Sequence, residues 1–150
     1  MRKCTDEFFE RVVGILPMHI KHMSKEELIR SFEVIVKRDL GSERLLRDHL
    51  LLKIERNIFK LSIDQYCRLV RSLADRQYVE DSVFWNEYVF RFIHSTSESK
   101  DGKKEIAKGS ERTFTDAESR KLWDSLIYLK LKCPSLELKD HIAYVEKFMV

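Results

Sequence analysis

Two matching helix-start signals constrain this chain more than any other feature. Ser24 and Ser62 stand 38 residues apart, and each is followed three residues later by Glu27 or Gln65. Such a pair is a capping box, in which the two side chains satisfy backbone N–H groups that the first helical turn leaves unbonded. The apolar positions behind the two caps keep the same offset. Matching helix starts with matching apolar stripes predict a repeated unit of about 38 residues.

The repeat predicts an all-α fold, a short α-solenoid of stacked antiparallel helical hairpins. A single hairpin cannot cover its own apolar face, so neighbouring units stack and bury a continuous core. A third capping box, Thr115–Glu118, follows Ser62 by 53 residues, which is the repeat offset plus an insertion of 15. A non-repetitive bundle of six or seven helices is the alternative, because every helix needs a cap. The predicted helices span residues 6–16, 25–38, 43–58, 63–76, 83–94, 116–132 and 137–149.

The same offsets organise residues 1–150 as a single helical-repeat domain. Its parts are a half-unit 6–22, a unit 23–60, a unit 61–93, an exposed insertion 94–113 and a weaker unit 114–150. The insertion is predicted because its polar sequence has almost nothing to bury.

Composition agrees with a helical chain and leaves the partner open. Only 4 Gly and 2 Pro among 150 residues argue against an all-β protein, which needs many tight turns. No apolar run approaches the roughly 18 residues of a spanning helix, so we expect no membrane insertion. A formal net charge of +3 neither establishes nor excludes a nucleic-acid partner. Three widely spaced cysteines favour a reducing compartment over a disulfide framework.

The run Leu73–Trp85, LADRQYVEDSVFW, follows the helix that starts at Leu61-Ser62 and resembles the octotricopeptide and heptatricopeptide helical repeats. A looser match, DLGSERLL, lies at Asp39–Leu46. The likeness covers about residues 6–93 and, weakly, 114–150. These degenerate repeats often precede a RAP domain in organellar RNA-binding proteins. No RAP-like stretch is present and the units are few, which indicates a small component of a larger assembly.

The resemblance implies a non-catalytic α-solenoid whose partners are RNA, either ribosomal or an organellar transcript, and neighbouring protein subunits. It also implies a location in the mitochondrial matrix, with a plastid or cytoplasmic location as the alternative.

The sequence offers no catalytic or cofactor motif. It lacks GxGxxG, GxxxxGK[ST] and GxSxG, the usual phosphate cradles and nucleophile elbow. His19 and His22 are close in sequence, but no acid or cysteine is placed to complete a metal site, so we interpret them as surface histidines. We therefore expect no enzyme activity, catalytic residue, cofactor, metal ion or small-molecule substrate.

Three cations occupy the same position on successive first helices, namely Arg30, Arg68 and Lys121. In a solenoid such positions line up on one face, where cations can follow a phosphate backbone. The alternative is an ordinary solvated face, since Glu33 and Asp124 flank the row and would repel phosphate. The predicted RNA-binding residues are Arg30, Arg68, Lys121, Arg71, Arg76 and Arg120.

Three aromatic residues, Trp85, Phe90 and Phe59, do not fit the apolar stripes. They either form an exposed protein-docking patch or pack against a neighbouring unit. Two functions remain: an RNA-contacting subunit of a mitochondrial ribonucleoprotein, such as the mitochondrial ribosome, and a protein scaffold or accessory subunit of another organellar complex. A cation row that is exposed and clear of acids would favour the first function.

Overall fold

A computed structural model describes residue 11 and residues 19–38, 46–94 and 112–150, with the backbone alone at residues 46–48. Over these residues the protein is all-helical and contains no strand. The predicted helix 6–16 and most of the predicted insertion 94–113 lie outside the described residues. Contacts within the chain define two compact units, Met1–Asn57 and Ile58–Val150. The division falls close to the predicted boundary between residues 60 and 61.

In the first unit, helix α1 spans Lys25–Lys37, close to the predicted 25–38. Its capping box is confirmed: the Glu27 N–H donates to Ser24 Oγ at 3.2 Å, and the Ser24 N–H donates to Glu27 Oε1 at 3.3 Å. A π-helical segment, Leu46–Leu51, continues as helix α2, Leu52–Asn57, which contacts α1.

The described residues of the second unit form four helices, after a short 3-10 helix at Ile58–Lys60. Helix α3 spans Ile63–Arg76 and helix α5 spans Asp116–Lys132, which confirms both predicted ranges. Helix α6, Lys139–Glu146, is shorter than the predicted 137–149, because the chain after Glu146 tightens into successive turns. Helix α4 has three consecutive parts, which are Ser82–Phe84, a π-helical segment Trp85–Val89, and Phe90–His94.

The other two predicted capping boxes are also confirmed. At the start of α3, the Gln65 N–H donates to Ser62 Oγ at 3.1 Å and the Ser62 N–H donates to Gln65 Oε1 at 3.0 Å. Thr115 and Glu118 make the same pair of bonds at the start of α5, at 3.2 Å and 3.0 Å. These local bonds fix where each helix begins, independently of what the helix packs against.

Helices α3 and α4 form an antiparallel hairpin. Tyr66, near the start of α3, stacks on Phe92, near the end of α4, with ring centroids 4.0 Å apart. At the other end, Tyr78 just after α3 meets Phe84 at the start of α4, edge to face at 5.6 Å. The fully buried Tyr66 hydroxyl donates to the Val89 carbonyl oxygen at 2.6 Å, which satisfies the one polar atom of its side chain.

Helices α5 and α6 form a second antiparallel hairpin. Phe114, just before α5, meets Phe148, just after α6, edge to face at 5.6 Å. The Val150 N–H donates to Asp116 Oδ1 at 2.8 Å, so the last described residue returns to the first turn of α5. This bond and Arg120 lower the pKa of the Asp116 carboxyl.

Helices α3 and α5 lie side by side and run parallel. Lys121 Nζ is 2.8 Å from Asp64 Oδ1, and eleven residues further along α5 the Gln77 Nε2 donates to the Lys132 carbonyl oxygen at 3.4 Å. Between these points the buried Ser125 faces the Cys67 thiol. Helix α6 lies against the end of α4, where His141 stacks on Phe90 at 4.2 Å. The two hairpins of the second unit therefore pack together, first helix against first helix.

Trp85 and Phe90 are core residues, which excludes the docking patch for them and agrees with the packing alternative. Their exposed fractions are 1% and 4%, and Trp85 Nε1 donates to the Tyr78 carbonyl oxygen at 2.7 Å. For Phe90 the π-helical segment is the reason, because it adds a residue to one turn and so rotates the following positions around the helix. Val89 and Phe90 consequently face inward, whereas Tyr88, one helical turn after Phe84, is half-exposed. Phe59, the third predicted docking residue, is half-buried.

We expect Trp85→Ala to lower the free energy of unfolding by about 3–5 kcal/mol, because it leaves a cavity and removes the donor to the Tyr78 carbonyl. Val83→Ala is the matched control, since Val83 lies on the same helix and is 61% exposed. It should change stability by no more than about 0.5 kcal/mol. Urea denaturation followed by circular dichroism measures both. Equal effects of the two substitutions would show that Trp85 is not part of the core.

Candidate interaction surfaces

The line where α3 meets α5 carries a set of exposed polar side chains, which we call the α3–α5 seam. It consists of Asp64, Arg71 and Asp75 on α3, and of Lys121 and Tyr128 on α5. The Tyr128 hydroxyl donates to Asp75 Oδ1, and this bond raises the pKa of Tyr128. The Asp64 carboxylate likewise raises the pKa of Lys121.

The predicted cation row is not clear of acids. Lys121 is bound to Asp64 across the seam, so its charge is offset by a carboxylate 2.8 Å away. Arg120 binds Asp116 at 2.9 Å and also donates to the Val150 carbonyl oxygen at 2.9 Å. A carboxylate this close weakens the attraction of each cation for phosphate.

The remaining predicted RNA-binding residues differ in their surroundings. Arg30, in the first unit, is 4.0 Å from Glu26 of its own helix and 72% exposed. Arg68 and Arg76 are half-buried and engaged in further interactions. Arg71 is exposed, and its guanidinium carbon lies 5.6 Å from the centroid of the Tyr128 ring. Lys132 Nζ lies 5.7 Å from the same centroid, so two cations share one aromatic ring.

A histidine pair joins the end of α4 to the start of α6, and sequence reasoning missed it. His94 Nε2 and His141 Nδ1 are 2.9 Å apart, a hydrogen-bond distance that requires at least one neutral ring. His141 stacks on Phe90, and the His94 ring lies 4.5 Å from that of Tyr144. Burial and the charge of His94 lower the pKa of His141, against a smaller opposing effect of Asp140.

Arg112 fixes the chain where it returns after the predicted insertion. Its N–H donates to the His94 carbonyl oxygen at 3.3 Å, and its Nη1 donates to the Phe92 carbonyl oxygen at 3.0 Å. These bonds satisfy carbonyls in the last turn of α4, which have no partner within the helix. The guanidinium also lies 3.9 Å from the centroid of the Phe92 ring, and its burial lowers the pKa of Arg112. The predicted exposed insertion therefore ends before this half-buried arginine.

An open apolar groove lies at the turn between α5 and α6, and we call it the α5–α6 groove. Its volume is about 570 Å³. Pro134 ends α5, since it cannot continue a helix, and the Leu136 N–H donates to the Cys133 carbonyl oxygen at 3.1 Å within the turn. Leu131 is 77% exposed beside it. The lining residues are Ile127, Lys130, Leu131, Pro134, Leu136, Glu137, Leu138 and Lys139.

Sequence reasoning missed the groove, although Leu131 was a signal. The buried stripe of α5 consists of Leu122, Leu126 and Leu129, and Leu131 does not belong to it. A leucine outside the stripe of an amphipathic helix marks apolar surface that the hairpin itself does not cover.

The described cysteines are structural. Cys67 and Cys133 are both buried, and burial raises the pKa of each thiol, so neither is prepared to act as a nucleophile. The described part of the chain holds no group of three or more metal-ligating side chains. None of its helices has the length and apolar character needed to cross a bilayer.

A scan against protein-family models, a search of curated proteins and a search of solved structures find no match to this chain. The surfaces of the protein are therefore interpreted from their own chemistry.

We expect the second unit to lose stability as the pH falls below about 6.5. The folded state lowers the pKa of His141, whereas the unfolded chain titrates near the ordinary value of about 6.5. The unfolded state therefore binds more protons below that pH, and the free energy of unfolding decreases. Urea denaturation between pH 7.5 and 5.5 tests this, because Trp85 and Trp123 both report on the second unit.

His141→Phe should flatten this pH dependence, because it keeps the ring on Phe90 and removes the titrating group. The matched control is His49→Gln, which changes an exposed histidine of the first unit and should leave the dependence unchanged. An equal pH dependence in His141→Phe and the parent protein would show that His141 does not cause the loss of stability at low pH.

Proposed function

We propose that this chain is a non-catalytic helical-repeat scaffold that joins a larger organellar assembly through protein contacts. The observation that carries the proposal is the parallel packing of α3 along α5. In an α-solenoid, equivalent helices of successive units lie side by side in this way. Thr115 follows Ser62 by 53 residues in the sequence. Residues that pair across the interface have similar sequence separations, such as the 57 residues between Asp64 and Lys121.

The charges of the seam favour protein contacts over RNA. The proposed solenoid uses Lys121 inside its own interface, and Arg120 holds the end of the chain through Asp116 and Val150. Cations that are already bound to carboxylates release few counterions when RNA binds. Counterion release is the main source of non-specific affinity for RNA. The α5–α6 groove, in contrast, leaves apolar surface on the last hairpin, as expected where a solenoid meets a partner.

RNA contact is the second candidate, and the cations around Tyr128 favour it. Arg71 and Lys132 lie 5.6 Å and 5.7 Å from the centroid of one half-exposed aromatic ring. Such a combination binds single-stranded RNA when the ring stacks on a base and the cations attract phosphate. Together with the resemblance to octotricopeptide and heptatricopeptide repeats, it supports a role in a mitochondrial ribonucleoprotein, such as the mitochondrial ribosome. The proposed location in the mitochondrial matrix rests on that resemblance.

Gradient sedimentation of the tagged chain from its native cells tests the proposal. We expect the 18.0 kDa chain to sediment with a much larger assembly, and treatment with RNase should leave its position unchanged. A shift to the top of the gradient after RNase, with ultraviolet cross-linking to RNA that Arg71→Gln/Lys132→Gln abolishes, would establish the second candidate instead. Sedimentation as a free monomer under both conditions would contradict both candidates.

A further inference from the structure

We propose that the α5–α6 groove is the docking site for an amphipathic helix of a partner protein, and that acidic side chains flank the apolar stripe of this helix. The inference rests on the proposed scaffold function and names the chemistry of the partner. Its basis is the position of the groove on α5, the apolar character of its floor and the charges at its rim.

The groove lies on a side of α5 that α3 does not cover. The seam side of α5 carries Lys121, Ser125, Tyr128 and Lys132, which face the preceding helix. At 100° per residue, Ile127 and Leu131 lie about 90–130° around the helix from these residues. Ile127 is half-buried and Leu131 is exposed, so the two residues form an apolar strip that α3 and α6 leave accessible.

The repeat offset indicates what covers this strip. Ile127 follows Ala74 by 53 residues, and Trp123 follows Val70 by the same number. Val70 and Ala74 are both fully buried, and the Cys133 thiol contacts the Ala74 carbonyl oxygen at 3.8 Å. Trp123 and Ile127, at the equivalent positions of α5, are only half-buried. A further helix on this side of α5 would bury Trp123 and Ile127 in the way that Val70 and Ala74 of α3 are buried.

The floor and the rim of the groove determine the chemistry of the partner helix. The apolar part of the lining combines Ile127 and Leu131, one helical turn apart, with Pro134 and Leu136 of the turn. An amphipathic helix fills such a groove with apolar side chains at positions i, i+3 or i+4 and i+7. Among the lining residues no buried polar side chain is available to orient a small molecule, although the volume of about 570 Å³ would accommodate one.

Two lysines lie among the lining residues of the groove. Lys130 and Lys139 are exposed, and neither makes an ion pair within the described ranges. Glu137 is the one carboxylate among the lining residues, so the rim carries a net positive charge. Carboxylates beside the apolar stripe of the partner would complement these lysines, and like charges there would be repelled.

Two synthetic helical peptides test the proposal. Both carry leucines at positions i, i+4 and i+7; in one the flanking residues are Glu, and in the other they are Lys. Fluorescence anisotropy with the full chain measures their affinities. We expect the Glu-flanked peptide to bind at least about tenfold more tightly than the Lys-flanked peptide at low salt. Equal binding of the two peptides would overturn the proposal.

Substitutions in the chain locate the binding site. Leu131→Glu should weaken binding of the Glu-flanked peptide by about tenfold or more, and Lys130→Glu/Lys139→Glu should reverse the preference between the peptides. Val83→Glu is the matched control, because Val83 is also an exposed apolar residue of the second unit, and it should leave binding unchanged. Circular dichroism verifies that each variant is folded. Unchanged binding by Leu131→Glu would overturn the proposal.

Sedimentation equilibrium of the purified chain distinguishes a second copy as the occupant. Dimerisation that Leu131→Glu abolishes would assign the groove to another copy of this chain and overturn the acidic-helix partner. The native gradient separates this inference from the scaffold proposal. If the chain sediments with a large assembly but binds neither peptide, the inference is overturned and the scaffold proposal stands.

Discussion

The packing of α3 along α5 is the interaction on which the rest of the second unit depends. It brings two hairpins together, because α4 folds back on α3 and α6 folds back on α5. It also assigns side chains to different tasks: Cys67 and Ser125 become buried, whereas Lys121 and Asp64 neutralise each other at the surface. The groove lies on a side of α5 that this packing does not cover.

The helix starts and the buried stripes were predictable from sequence, because they depend on neighbours within four residues. All three capping boxes form, and α3 has its predicted bounds. The interior of α4 was not predictable in this way, because a π-helical turn changes the helical period and moved Phe90 into the core. The π-helical segments begin at residues 46 and 85, 39 residues apart, so they recur at nearly the repeat offset.

The interaction surfaces were less predictable, because they depend on which helices become neighbours. The sequence placed Lys121 in a row with Arg68, but only the register between α3 and α5 brings Asp64 to it. The turn after α3 shows the same limit. Gln77 adopts a left-handed conformation, with φ of 55°, where glycine is usual, and its side chain donates to the end of α5. The His94–His141 pair likewise requires the ends of two helices to meet, and no local pattern announces it.

Distances between paired spin labels test the parallel packing of α3 and α5 most directly. Labels at Asp64 and Lys121, and at Gln77 and Lys132, replace residues that are all exposed, in a chain whose cysteines are changed to alanine. Parallel packing predicts two similar, short distances and a longer one between Asp64 and Lys132, because the helix rises about 16 Å between residues 121 and 132. A distance for either matched pair as long as that of the crossed pair would contradict the stacking of the two hairpins.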